Sequence, residues 1–280
     1  MLSLGSFLVL ATLGGQSPAY PWLEAGPGDA GARSTIASRF APPTGFERAP
    51  VASGSFAAWL RELPLHEGRG EVHLHDGSLK ANQAAHLAIV DIDVGARDLQ
   101  QCADAVMRLR AEYLLGADQP DEICFRFTDG TPAAWSKWRD GWRPKVGGKK
   151  TTWTKAAKVD SSHASFRKYL DAVFTYAGTA SLERELERAP SLVEVAGGDV
   201  FIEPGFPGHA VVVADVAAAP DGRRAVLLAQ SYMPAQQIHV LDNPAHPGDP
   251  WYVLVERQPL QTPEWRFEKP EVRRFGKSCQ

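Results

Sequence analysis

The sequence predicts an α+β fold built on an antiparallel sheet. Helical spacings dominate the first two thirds of the chain, whereas apolar runs bounded by turn residues fill the last third. The longest of those runs, 209–217 and 225–233, are joined through Asp221-Gly222, a connection short enough only for an antiparallel hairpin. With 280 residues, 44% hydrophobic and 22% charged, the chain is long enough for a full core. No internal repeat is visible.

Residues 1–19 read as a signal peptide, since 4–13 are apolar and Ser17-Pro18-Ala19 resembles a cleavage site. Export to the periplasm or outer envelope is therefore expected. Residues 20–45 are rich in Gly, Pro, Ala and Ser without a period and read as a flexible linker, leaving 46–276 as a single α+β domain. "SFAAWLRELPL" from Ser55 has the spacing of a short helix ended by Pro64. "EVHLHDGSL" alternates around His73 and His75 and closes on Asp76-Gly77, a hairpin signal, and "HLAIVDIDVG" (86–95) is a strand. Leu99, Cys102, Ala103, Val106, Leu109 and Tyr113 then fall on one helical face, with Asp98 as N-cap, Gln101 completing a capping box and Gly116 as C-cap. "EICFRFTDG" is a further strand. Helices are expected from about Ser161 and from Ser181 ("SLERELERAP"). The strands "DVFIEP", "HAVVVADVA", "AVLLAQSYM" and "QIHVLDN" follow.

A net charge of −3 argues against a polyanion-binding role for the whole molecule. Residues 135–158 are the exception, carrying +7 among Trp135, Trp138, Trp142 and Trp153. Aromatic faces stack on sugars and cations pair with carboxylates, so Trp135, Trp138, Trp142 and Arg143 are candidate contacts to cell-wall glycan or peptide. The competing reading packs the rings inside a large loop and leaves the cations in water. No nucleic-acid module accompanies the patch. No further apolar run is long enough to span a membrane. Three cysteines make no disulfide framework, and none has zinc spacing. Cys279 is expected to be mobile at the C-terminus, leaving Cys102 and Cys124 as a bridge, a buried pair, or one reactive thiol and a bystander.

A titratable imidazole opens an apolar strand at "PGFPGHAVVV". His209 there is a candidate base, and Cys102 at a helix start, where backbone N–H groups favour a thiolate, is a candidate nucleophile. If the hairpin pairs normally, Gln230 or Ser231 lies where its amide or hydroxyl orients the imidazole, Gln230 being the candidate orienter and Ser231 a candidate substrate contact. His73 and His75 share a strand face without a third metal ligand. Glu112 or Asp93 is the carboxylate for an enzyme that does not use the thiol, Asp91 sharing a strand face with Asp93 as the flank of a site or a solvated edge.

"GGDVF…GHAVVV" resembles the strand pair of the papain-like NlpC/P60 and CHAP peptidoglycan hydrolases. That resemblance implies a papain-like (NlpC/P60-like) antiparallel sheet with N-terminal helices. It also implies a cysteine hydrolase or amidase that needs no cofactor. A non-catalytic envelope binding protein on the same scaffold is the alternative. "DLQQCADAVMRLRAEYL", "FRKYLDAVFTYAGTASLEREL", "PGFPGHAVVVADVA" and "LLAQSYMPAQQIHVL" are similar to a bacterial family, domain of unknown function 4846, over about residues 40–275. This second resemblance implies an exported protein.

Overall fold

The apolar runs at 209–217 and 225–229 are buried almost without interruption because a layer of side chains covers each face of the sheet they form. The computed structural model describes residues 20–23, 33–147, 150–189, 191–277 and 279. Its helices are α1 (Ile36–Arg39), α2 (Phe56–Arg61), α3 (Cys102–Gly116), α4 (Trp135–Arg139), α5 (His163–Tyr176) and α6 (Thr179–Glu185).

The first strands are β1 (Glu47–Arg48), β2 (His86–Ile89), the hairpin β3 (Cys124–Arg126) and β4 (Pro132–Ala134), and the hairpin β5 (Trp142–Lys145) and β6 (Thr152–Lys155). Then come β7 (Leu186–Arg188), β8 (Val200–Glu203), β9 (His209–Ala218), β10 (Arg224–Gln230), β11 (His239–Leu241) and β12 (Trp251–Val253). The chain closes with β13 (Leu260–Gln261), β14 (Arg266–Phe267) and β15 (Val272–Phe275).

The main sheet runs β2-β11-β10-β9-β8-β15-β7, with β1 added to β9 and β12 to β10. Each of these pairings is antiparallel. On one face, Ala210 and Val212 of β9 meet the larger core, shared with α2, α3 and α5. On the other, Val211 and Val213 meet a second core with Leu228, Tyr252 and Phe267. Two covered faces are why this strand lacks the usual polar alternation. α3 lies directly on β9.

The α+β class and the antiparallel sheet agree with the sequence reading; several details do not. Residues 33–45, expected as linker, hold α1, whose Ile36 is fully buried. Tyr20 also packs on Trp59, its hydroxyl donating to the Trp59 carbonyl at 3.0 Å. The expected signal segment lies outside the described residues. The helix foreseen over 181–190 stops at Glu185, and 186–188 become β7, because β15 offers an edge to pair with and the core takes Leu186. Cys279 is not mobile but bonded to Cys124 across 155 residues, so no Cys102–Cys124 bridge forms and Cys102 stays free. No helix among the described residues is long and apolar enough to cross a membrane.

Candidate functional site

Gly208 explains how His209 enters the sheet so abruptly. A Cβ there would lie 2.6 Å from the Gly205 carbonyl oxygen and 2.6 Å from Thr179 Oγ1, so only glycine lets the loop close onto β9. His209 then faces Glu203 of β8 in register and is 1% exposed. Its ring is covered by Tyr232, Trp265 and Phe267, with centroids 5.0, 5.3 and 6.0 Å away.

The hairpin delivers the partner. β10 returns antiparallel to β9, and His209 Nε2 lies 2.7 Å from Gln230 Oε1. Gln230 Nε2 donates to Glu264 at 2.9 Å, and Lys80 Nζ pairs with the other Glu264 oxygen at 2.6 Å. His239 of β11 sits on the same amide, its Nε2 3.5 Å from Gln230 Nε2. Burial pushes the imidazole of His209 down to about 4 and that of His239 down to about 3, so both are neutral at pH 7.

Cys102 is the first residue of α3, capped by Gln101 rather than by Asp98 as expected. The Gln101 amide donates to Asp104 Oδ2 at 3.1 Å, while Asp98 Oδ1 accepts from the Ala235 amide at 2.7 Å and so clasps the loop after β10. The thiol is 6% exposed, and burial, followed by the nearby Asp104 carboxyl, pushes it up to about 11. The Ala210 amide, next to His209, acts on the same sulfur in the opposite sense. The thiol also acts on Tyr232, whose ring packs on His209. Helix start and strand start therefore converge. A cleft of about 340 Å³ opens at the helix start, walled by Cys102, Thr179, Phe174, Phe206, Gly208 and Met233, while His209 and Gln230 lie buried behind it and do not line it. Phe206, on the loop leading to His209, is 97% exposed.

The other expected site residues lie elsewhere or are used otherwise. Ser231 is sealed, its hydroxyl 2.8 Å from the carbonyls of Gln100 and Gln236, so it ties the end of β10 to the approach to α3 and touches no substrate space. Trp135 and Trp138 are buried against Phe166 and Tyr169 and offer no face to a sugar. Arg143 stacks at 4.0 Å on Trp138 and donates to the Trp138 and Trp142 carbonyls. None of Trp135, Trp138, Trp142 or Arg143 lines the Cys102 cleft, so the aromatic segment is explained by packing rather than as a platform beside that thiol.

The carboxylates are likewise engaged. Glu112 is fully buried between Arg108 and His163, and Asp93 pairs with Arg108 and Arg167. Asp91 pairs with Arg33. His73 and His75 gain no third ligand, for no group of three metal-binding side chains gathers among the described residues.

Residues 36–274 match the family model described as domain of unknown function (4846). The chain belongs to that family. No curated protein and no solved structure matches it. The domain of unknown function 4846 region opens on α1, closes in β15 and holds Cys102, His209 and Gln230 together with the residues that sequence reasoning missed. Those are Lys80, Tyr232, Glu264, Trp265 and Phe267. Tyr232, Glu264, Trp265 and Phe267 meet His209 or Gln230, and Lys80 meets Glu264, only through folding, and no local pattern marks them.

Proposed function

We propose that this domain is an exported cysteine hydrolase or amidase, papain-like in fold, acting on cell-envelope peptide or amide bonds. The observation that carries the reading is the 2.7 Å bond from His209 to Gln230, at the strand end where the Cys102 thiol meets the Ala210 amide. In this reaction the Cys102 proton passes to His209 as the sulfur attacks the carbonyl carbon. Burial penalises thiolate and imidazolium singly, so the reading requires the transfer to create the opposite charges close enough to offset one another in a low dielectric. The Cys102 backbone N–H, at the first helical position and without an intrahelical acceptor, is the donor this mechanism assigns to the developing oxyanion. The C–N bond breaks, the leaving amine takes the proton from His209, and water hydrolyses the thioester with His209 again as base.

One observation favours a second reading, an envelope binding protein without turnover: the thiol is 6% exposed and strongly protonated. Purified protein incubated with peptidoglycan separates the two. Release of fragments by the wild type, lost in Cys102→Ala, supports the hydrolase. Retention of the glycan without release, equal in both proteins, overturns it in favour of binding.

A further inference from the structure

The amide of Gln230 has two orientations, and only one leaves a base at Nδ1 of His209. We propose that the Lys80–Glu264 ion pair is a positioning device that holds this amide and thereby sets which imidazole nitrogen of His209 carries the proton. The proposal rests on the reading of His209 as base only for its consequence in turnover.

Glu264, paired with Lys80 at 2.6 Å, is an acceptor and nothing else. It accepts from the Gln230 NH2 group at 2.9 Å. His239 supplies the second acceptor. Its Nδ1 lies 2.9 Å from the Gln237 carbonyl oxygen, which can only accept, so Nδ1 carries the hydrogen and Nε2 turns a lone pair toward Gln230 at 3.5 Å. Both amide hydrogens are thus spoken for, and Gln230 Oε1 is directed at His209. Oε1 accepts, so His209 Nε2 bears the proton and Nδ1 keeps its lone pair.

A flipped amide would set its oxygen against a carboxylate and an imidazole lone pair at once. Gln230 is 1% exposed and His239 is fully buried, so water does not relieve those contacts. Lys80 is itself buried, at 5% exposure, and its ammonium lies 5.4 Å over the Tyr232 ring that packs on His209. Glu264 sits in the turn between β13 and β14, one residue before the Trp265 ring that covers His209. The same hairpin therefore roofs the imidazole and locks its neighbour.

Nitrogen-15 NMR of the histidine rings at neutral pH tests this without turnover, with His209→Gln identifying the His209 signals. The wild type is expected to show His209 protonated at Nε2. Glu264→Gln, which offers Gln230 either an N–H or an oxygen, is expected to populate the Nδ1–H form, and Lys80→Met to do so more weakly. An Nδ1–H tautomer in the wild type overturns the proposal even if both variants fail to fold. A folded Glu264→Gln with an unchanged tautomer also overturns it. Where the hydrolase reading holds, kcat of Glu264→Gln falls by about 10²-fold with KM unchanged. Where that reading fails, the tautomer still reports on the lock.

Discussion

Cys102 and His209 are each nearly sealed from water, and burial disfavours the charged form of both, raising the thiol to about 11 and lowering the imidazole to about 4. Alkylation of Cys102 by a small electrophile is therefore expected to rise about tenfold per pH unit between about pH 7 and 9 without a plateau. Mass spectrometry of the labelled protein follows it, and a plateau near neutrality would show that the thiolate already exists. His239, lowered to about 3, gives a second pH signature. Its neutral form supports the fold fully above its ordinary value of about 6.5, and that support is lost as pH falls toward its folded value. Burial raises Glu185 to about 7 and raises Asp104 as well, and both act with the opposite sign, while it lowers His209 and His86 in the same sense as His239, so the total profile mixes several groups. The stability gap between wild type and His239→Gln isolates one group. It is expected to narrow by about 3 kcal/mol between about pH 7 and 4, read from urea midpoints at each pH.

The strand β9 shows how an element can be legible while its exceptions are not. Its valine run announces a buried strand, and the tight turn at Asp221-Gly222 announces the hairpin that sets Gln230 beside His209. Asp215 within the same run reads as a break in the pattern. It is in fact fully buried, held by Arg48 at 2.8 Å and Arg61 at 2.7 Å. A bulge at Leu227/Leu228 shifts the register, pairing Asp215 with Leu227 but Val213 with Leu228, and so re-aims the carboxylate toward α2. Asp215→Ala leaves two guanidinium groups facing an empty pocket and is expected to cost about 3–5 kcal/mol in chemical denaturation. The helix over 181–190 fails for the converse reason. Its pattern is locally helical, yet β15 is a partner no local pattern contains. β13 and β14 escape notice because two-residue strands have no period to read.

Over the whole molecule, the Cys124–Cys279 disulfide ties the last turn of the chain to β3. Closing so long a loop restricts the unfolded chain, and its reduction is expected to lower stability by roughly 2–5 kcal/mol. Thiol titration of the denatured protein should find one group without reductant and three with it; more than one without reductant would show that the bridge is absent. By itself the sequence determined the α+β class, a helix with Cys102 in its first turn, and the β9–β10 hairpin that brings the Gln230-Ser231 end beside His209. Each follows from spacing or turn chemistry within a few tens of residues. Only the tertiary structure decided which cysteines pair, that Trp135 and Trp138 lie inside, and that Lys80 reaches Glu264 across 184 residues to brace Gln230. Burial and ion pairing between distant segments depend on where the chain packs, and that leaves no periodicity in the sequence.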